Sequence, residues 1–253
     1  MSAYGPLAAW YDALTRDVDY AAFADFYESC FRAHGGQMHT LLDFCCGTGT
    51  LTSLLAARGY EMIASDGSAD MLMQAQAKAA ELPSGSVPPL LLCQEASRLD
   101  LYGTVDAAVC SLDGMNYLPP EELPEVLHRL HLFIRPDGLL IFDIRAPESF
   151  RALDGGVFVD ETDDVLCLWR AEFDETEQTM RYGMDLFDRQ GRLWARESEE
   201  HVEYAHTPEE LTRLLLQAGF RDVQVRTDGP QADAGRLFLT AVRGRREGDT
   251  NHG

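Results

Sequence analysis

Three acidic residues, each standing where an apolar run gives way to a turn, carry the chemistry written most plainly into this chain. The first lies in Leu41-Leu42-Asp43-Phe44-Cys45-Cys46-Gly47-Thr48-Gly49-Thr50. Gly47 and Gly49 let the backbone turn tightly and approach a ligand closely. The helix expected after them presents free N–H groups. A carboxylate at Asp43 would repel a pyrophosphate and suits a ligand that carries an ammonium group and a sulfonium. Roughly twenty residues on, Glu61-Met62-Ile63-Ala64-Ser65-Asp66 ends a second run in an acid, and a carboxylate there can accept both hydroxyls of a ribose. Gly67-Ser68-Ala69-Asp70-Met71 follows, with Met71 on the first turn of a helix, able to cover one face of an adenine. The third acid is Glu95 in Cys93-Gln94-Glu95-Ala96, where a side-chain carboxylate and a backbone N–H could read the adenine edge. Alone, a glycine turn is common and an acid at a strand end is more often a helix cap. Their order, each at a carboxyl end of a strand, is far more specific, because ligands of open α/β sheets bind at those ends.

The elements that must hold these residues follow from apolar periodicity. Short apolar runs at 40–44, 61–65, 90–93, 106–111 and 139–144 read as buried parallel strands. Amphipathic stretches at 51–58, 69–81 and 120–133 read as the helices between them, which implies an α/β domain. Residues 7–33 are aromatic-rich and helical in pattern. From about residue 156 to 204 the chain reads as strands with no helix, as at 165–173, 179–187 and 193–204, joined by hairpin-type turns. Thr207-Pro208-Glu209-Glu210 is a helix start, and Gly219 stops that helix after residue 218. Strands near 222–227 and 236–243 close the pattern. The expected organisation is one domain over 1–243, with an antiparallel insertion at about 151–205, and a disordered polar tail at 244–253.

Composition narrows the partners. The 253 residues have a formal net charge of -21. Such a surface repels phosphate backbones, so nucleic acid is not an expected partner. It serves solubility, and it would also draw a cationic substrate. No apolar run approaches the roughly 20 residues that span a bilayer, and the first residues do not resemble a signal peptide. No membrane partner and a cytoplasmic location are expected. The six cysteines form no CxxC pair and no paired spacing with His, so neither a metal site nor a disulfide framework is expected.

With these motifs in place, the chain resembles the class I S-adenosylmethionine-dependent methyltransferases over residues 4–243. The likeness is to small-molecule methyltransferases of bacteria with an N-terminal Tyr-Asp segment, here Tyr11-Asp12, and the run Leu112-Asp113-Gly114-Met115-Asn116-Tyr117-Leu118. The family's first motif reads acid-x-Gly-x-Gly-x-Gly, and Cys45 replaces its first glycine. The resemblance implies a Rossmann-like seven-stranded sheet with helices on both faces and an antiparallel last strand. It implies S-adenosylmethionine as cofactor and a small-molecule acceptor. Asp43, Cys45, Gly47 and Gly49 would lie by the methionine part, Asp66 and Gly67 by the ribose, and Met71, Glu95 and Ala96 by the adenine. Leu112 would lie near the transferable methyl, and Tyr11 would fold over the pocket onto the cofactor carboxylate.

Asp113, Asn116 and Tyr117 could face the acceptor, with Tyr117 a catalytic candidate. His201 matches a His that similar proteins carry before the Thr-Pro-Glu helix start, and is the candidate base. The insertion would be a lid over the acceptor, carrying Trp169, Arg170, Arg181, Tyr182, Glu203, Tyr204 and His206 besides, or a dimerisation sheet giving a homodimer. For each of the insertion residues a sheet-surface role competes, and Asp113 and Asn116 read equally as turn residues. Two other readings compete with the whole: a non-catalytic S-adenosylmethionine-binding protein, kept open by Cys45, and a nucleotide-dependent oxidoreductase. The latter expects Gly-x-Gly-x-x-Gly, and Thr52 stands at the third glycine position.

Overall fold

A computed structural model describes residues 5–245. Its main sheet has seven strands in the order β10-β11-β5-β4-β1-β2-β3. These are β1 (Thr40–Phe44), β2 (Glu61–Asp66), β3 (Leu90–Cys93), β4 (Val105–Cys110), β5 (Ile134–Arg145), β10 (Phe220–Arg226) and β11 (Arg236–Arg243). β1 to β5 pair in parallel, and β11 runs antiparallel to both β5 and β10. The antiparallel last strand is therefore as expected.

Both faces of this sheet are covered. Leu41, Ala107, Val109, Leu139 and Ile141 pack with Phe23 and Tyr27 of α2 (Tyr20–His34) and with Leu51 and Leu55 of α3 (Thr50–Ala57). Their neighbours Leu42, Ala108, Cys110, Leu140 and Phe142 point the other way, onto Leu127 and Leu130 of α5 (Leu123–Phe133) and Leu211 and Leu215 of α7 (Pro208–Ala218). This is the two-residue period of a strand buried on both sides, which reads in sequence as an unbroken apolar run. Local signals set the helix ends. Ser68 Oγ accepts from Met71 N at 3.3 Å at the start of α4 (Ala69–Ala80), and Thr207 Oγ1 accepts from Glu210 N at 3.2 Å at the start of α7.

A second, antiparallel sheet has the order β6-β7-β8-β9: β6 (Val157–Glu161), β7 (Val165–Asp174), β8 (Thr179–Gln190) and β9 (Leu193–Tyr204). Leu7, from the N-terminal segment, packs on Val165, Cys167, Met184 and Leu186 of this sheet. Asn116 ties it to the main sheet. Its amide donates to Tyr204 O at 2.8 Å, and its oxygen accepts from Arg145 N at 2.9 Å. Asn116 is fully buried in these bonds, so the expectation that it faces an acceptor is corrected to a bracing role.

Three elements depart from the sequence reading. The helical span 7–33 breaks into α1 (Tyr11–Leu14) and α2, because Asp19 caps a new start by accepting from Ala22 N at 3.0 Å. Arg135-Pro136-Asp137-Gly138, which reads in sequence as a turn before the strand at 139–144, lies inside β5 as a bulge, with Asp137 left-handed and the register slipping against β4. The short α6 (Pro147–Leu153) was not foreseen, being too brief to show a period. The expected tail falls mainly on residues 246–253, outside the described residues. Among those described, no helix is long and apolar enough to cross a membrane.

Candidate active site

A cavity of about 420 Å³ opens at the carboxyl ends of β1 to β4. Tyr11, Asp43, Cys45, Gly47, Asp66, Gly67, Met71, Glu95, Ala96, Leu112 and Tyr117 all line it. The strand ends bring them together, as the spacing required. Gly49 is the exception. It sits left-handed at φ 69°, and a Cβ there would meet the Ala75 Cβ at 2.7 Å. It keeps α4 close to the turn and does not touch the cavity. Gly67 does line the wall, and a Cβ on it would strike Glu95 Oε2 at 2.8 Å.

The electrostatics of this cavity are one-sided. Asp43 is buried and accepts from Thr52 Oγ1 at 2.5 Å. Burial pushes its carboxyl up to about 7, against the Thr52 bond and with help from nearby Asp66. Asp66 accepts from Gly47 N and from Ser68 N, both at 2.8 Å, and so ties the two glycine turns together. Burial raises its carboxyl as well, over the pull of those two N–H groups. Three carboxyl groups line the cavity, and among the described residues no Lys, Arg or His does. A phosphate would find no counter-charge here. A ligand with cationic groups, hydroxyls and an adenine edge fits this donor set, and S-adenosylmethionine has that chemistry.

The N-terminal segment is latched across the rim. Asp12 Oδ1 accepts from Thr48 Oγ1 at 2.7 Å, and Asp12 Oδ2 pairs with Lys78 Nζ at 2.5 Å. Lys78 also donates to Thr48 O at 2.9 Å and Thr50 Oγ1 at 2.7 Å. This brings Tyr11 over the opening.

A second cavity, of about 370 Å³, lies between the two sheets. It shares Tyr11, Leu112 and Tyr117 with the first, so these three side chains form a neck between them. Leu112 and Asp113 are successive left-handed residues (φ 56° and 57°). That strained turn is held by Asp143, whose two oxygens accept from Leu112 N and Asp113 N at 2.9 Å each. Arg236 pairs with Asp143 and, at 2.8 Å, with Asp113. Burial pushes the Asp113 carboxyl up, but Arg236 and Arg145 prevail and hold it below the usual carboxylate range.

Glu203 also lines this cavity. It is 3% exposed, it receives a hydrogen bond from Tyr117, and its Oε2 has no partner among the described residues. Burial, and then the Asp113 charge, push its carboxyl well above its ordinary value.

His201 does not line either cavity. It is buried behind the neck, its ring packed against Tyr117 and Trp169, with Nε2 3.1 Å from Glu199 Oε2. The expectation that it meets the acceptor as a base is corrected: it backs Tyr117. Of the other insertion residues named from sequence, Trp169, Tyr182 and Glu203 reach the second cavity. Arg170 is engaged with Asp185 at 2.7 Å, Arg181 with Glu200 at 3.5 Å, and His206 with Leu118 O at 2.9 Å. Asp143, Arg145 and Arg236 were missed. An acid inside the apolar run of β5 was the one signal that pointed to any of them.

Known proteins resemble this chain in sequence and in fold. A family model for a methyltransferase domain matches residues 41–138. The protein named "Putative methyltransferase YqeM" of Bacillus subtilis (strain 168) is 28% identical over 249 residues, 95% of this chain and 97% of the relative. A crystal structure of a S-adenosylmethionine-dependent methyltransferase from Clostridium acetobutylicum ATCC 824 superposes with a TM-score of 0.81 at 26% identity, covering 96% of this chain and 100% of that one. The structure of S-adenosylmethionine-bound CalS10, an amino pentose methyltransferase from Micromonospora echinaspora, shares the fold at a TM-score of 0.75 and 21% identity, covering 96% of this chain and 98% of that one.

Proposed function

We propose that the chain, which matches methyltransferases in sequence and fold, is a class I S-adenosylmethionine-dependent methyltransferase and carries out methyl transfer to a small molecule across the neck between its two cavities. The observation that carries this reading is the shared wall of Tyr11, Leu112 and Tyr117. One chamber has the donor set for the cofactor, the other is a separate room for an acceptor, and they meet at three side chains. Bound in the first chamber, S-adenosylmethionine supplies an electrophilic methyl on a sulfonium.

The residues divide the remaining work. Asp43 offers negative charge to the cationic end of the cofactor. Asp66 has further lone pairs for ribose hydroxyls beyond those engaged by Gly47 and Ser68. Glu95 and the Ala96 N–H would read the adenine edge, and Met71 would cover its face. Tyr11 and Tyr117 narrow the passage and hold the nucleophile in line. For methyl transfer that positioning is the protein's main contribution. Asp143 and Arg236 act at one remove, fixing Leu112 and Asp113 at the neck.

Isothermal titration with S-adenosylmethionine and with NAD tests the reading. Binding of the first and not of the second is expected, and binding of NAD alone would overturn it. A structure with S-adenosylhomocysteine should place its sulfur at the neck. A sulfur facing bulk solvent, with the second cavity shut off, would point to the non-catalytic cofactor binder instead.

A further inference from the structure

The charged cluster at the second cavity, counted with Asp143 behind its wall, is one positive charge short when Glu203 is ionised, and that deficit says what fills the cavity. Arg145 and Arg236 bring two positive charges. Asp113 and Asp143 bring two negative ones, each within reach of a guanidinium: Arg236 to both, and Arg145 Nη2 to Asp113 at 3.3 Å. Glu203 is then a third carboxyl, which feels Arg145 and Arg236 but has no side-chain cation at ion-pair distance among the described residues. Trp169 and Tyr182 line the same cavity, and Glu203 Oε2 has no hydrogen-bond donor among the described residues. A buried carboxylate in that state is costly unless a cation or a strong donor meets it. The opposite deficiency lies nearby, since Arg145 Nε is a buried donor with no acceptor among the described residues.

We propose that the acceptor is a small amine, bound as its ammonium against Glu203, and that a neutral oxygen on the same molecule accepts from Arg145. The inference rests on the methyltransferase reading. A carboxylate in place of that oxygen would restore the imbalance, because a zwitterion adds no net charge. The aromatic walls add to the preference for a cation. Glu203 also takes the proton. The ammonium gives one proton to the carboxylate, which frees the nitrogen lone pair. That pair forms the new N–C bond to the methyl carbon as the carbon–sulfur bond breaks, its electrons staying on sulfur as a neutral thioether. The methylated product leaves as an ammonium, and Glu203 returns its proton to solvent. A carboxyl already raised by burial takes a proton from an ammonium more readily than an exposed one.

The test uses the full chain saturated with S-adenosylhomocysteine and three probes of one size, read by isothermal titration. Phenylglycinol has an ammonium and a hydroxyl, phenylglycine an ammonium and a carboxylate, and 2-phenylethanol a hydroxyl alone. Phenylglycinol should bind best. Glu203→Gln should weaken it by roughly 30-fold or more, the lower end for removing one partner of a buried charge pair, and should leave 2-phenylethanol unaffected. Glu203→Asp should restore part of the preference. S-adenosylmethionine titrated into each variant reports whether it is folded. If the Gln variant fails that control, the Asp variant decides, and an Asp variant without the ammonium preference overturns the proposal.

Equal binding of the three probes, tighter binding of phenylglycine or 2-phenylethanol, or no binding of any to cofactor-loaded protein would also overturn it. Failure of the wild-type chain to bind S-adenosylmethionine would be a failure of the methyltransferase reading and is read separately.

Discussion

The two cavities are made in opposite ways. The first is built from strand ends between Asp43 and Leu118, with Tyr11 and Tyr20 closing it, and carries one sign of charge. The second gathers residues from Leu7 to Arg236 and sets two guanidiniums against Asp113 and Glu203, with Asp143 behind the wall on Arg236 as a third carboxyl. The first can be one-sided because a cofactor of fixed chemistry completes it. The second must balance itself, and the residue left over, Glu203, marks what its ligand supplies. A cofactor site is thus coded locally, in turns after strands, whereas an acceptor site is coded by contacts between distant segments.

The largest way to break that contrast is Arg236→Ala. It leaves Asp113 and Asp143 buried without their shared cation, at an expected cost of about 3–5 kcal/mol in stability, read by urea denaturation. A loss under 1 kcal/mol would mean that the charge balance of the second cavity is not structural. In the first cavity, Asp43→Asn should weaken S-adenosylmethionine binding by roughly 30-fold, following the same rule for a buried charge partner, with little change in fold.

Asp43 also predicts opposite pH trends. Its carboxyl titrates at about 7 in the folded chain and at about 4 when unfolded. Between those values the folded chain holds a proton that the unfolded chain has released. Stability contributed by this group is therefore full below about pH 4, falls as pH rises to about 7, and is level above. Cofactor affinity should run the other way and rise through pH 7 as Asp43 ionises. Both slopes should flatten in Asp43→Asn.

This difference in construction explains what the sequence disclosed. Asp43, Asp66 and Glu95 were legible because each lies within two residues of its own strand's end, and strands of a parallel sheet end on one side. Spacing could not separate Gly49, which serves the packing of α4, from Gly47, which lines the cavity. The second cavity depends on pairs such as Asp143 with Arg236 and Asn116 with Tyr204, which no local window contains. Glu203 is one of several acids on β9 and reads like a solvated one. His201 stood out through its match to a His of similar proteins, yet His201 and Glu203 share the inward face of that strand, and it is Glu203 that reaches the cavity.

The latch sharpens the comparison at smaller cost. Asp12→Ala removes the Lys78 pair and the Thr48 bond, freeing the segment that carries Tyr11. Because the pair is half exposed, about 1 kcal/mol is expected, read as a rise of roughly fivefold in the dissociation rate of S-adenosylhomocysteine. An unchanged rate would mean that Tyr11 is held over the opening by its packing on the second sheet alone.

The smallest effect concerns Cys45, where a side chain stands in place of a glycine. It adopts φ 55°, a left-handed conformation that costs a non-glycine residue about 1–2 kcal/mol. Cys45→Gly removes that strain but adds unfolded-chain entropy of about 0.5–1 kcal/mol, and it loses packing against the buried core around Cys110. The contributions nearly cancel, so a gain of about 0.5 kcal/mol or less is expected by urea denaturation. A clear loss of stability would show that the thiol's contacts outweigh the backbone strain. Cofactor affinity gives the second reading of the same variant. If the Cys45 side chain crowds the cofactor end of the cavity, glycine should tighten S-adenosylmethionine binding, by about twofold to threefold for a strain release of this size. If instead affinity falls, Cys45 contributes a wall that the family's glycine does not, and the first cavity is fitted to its ligand at that position by a side chain.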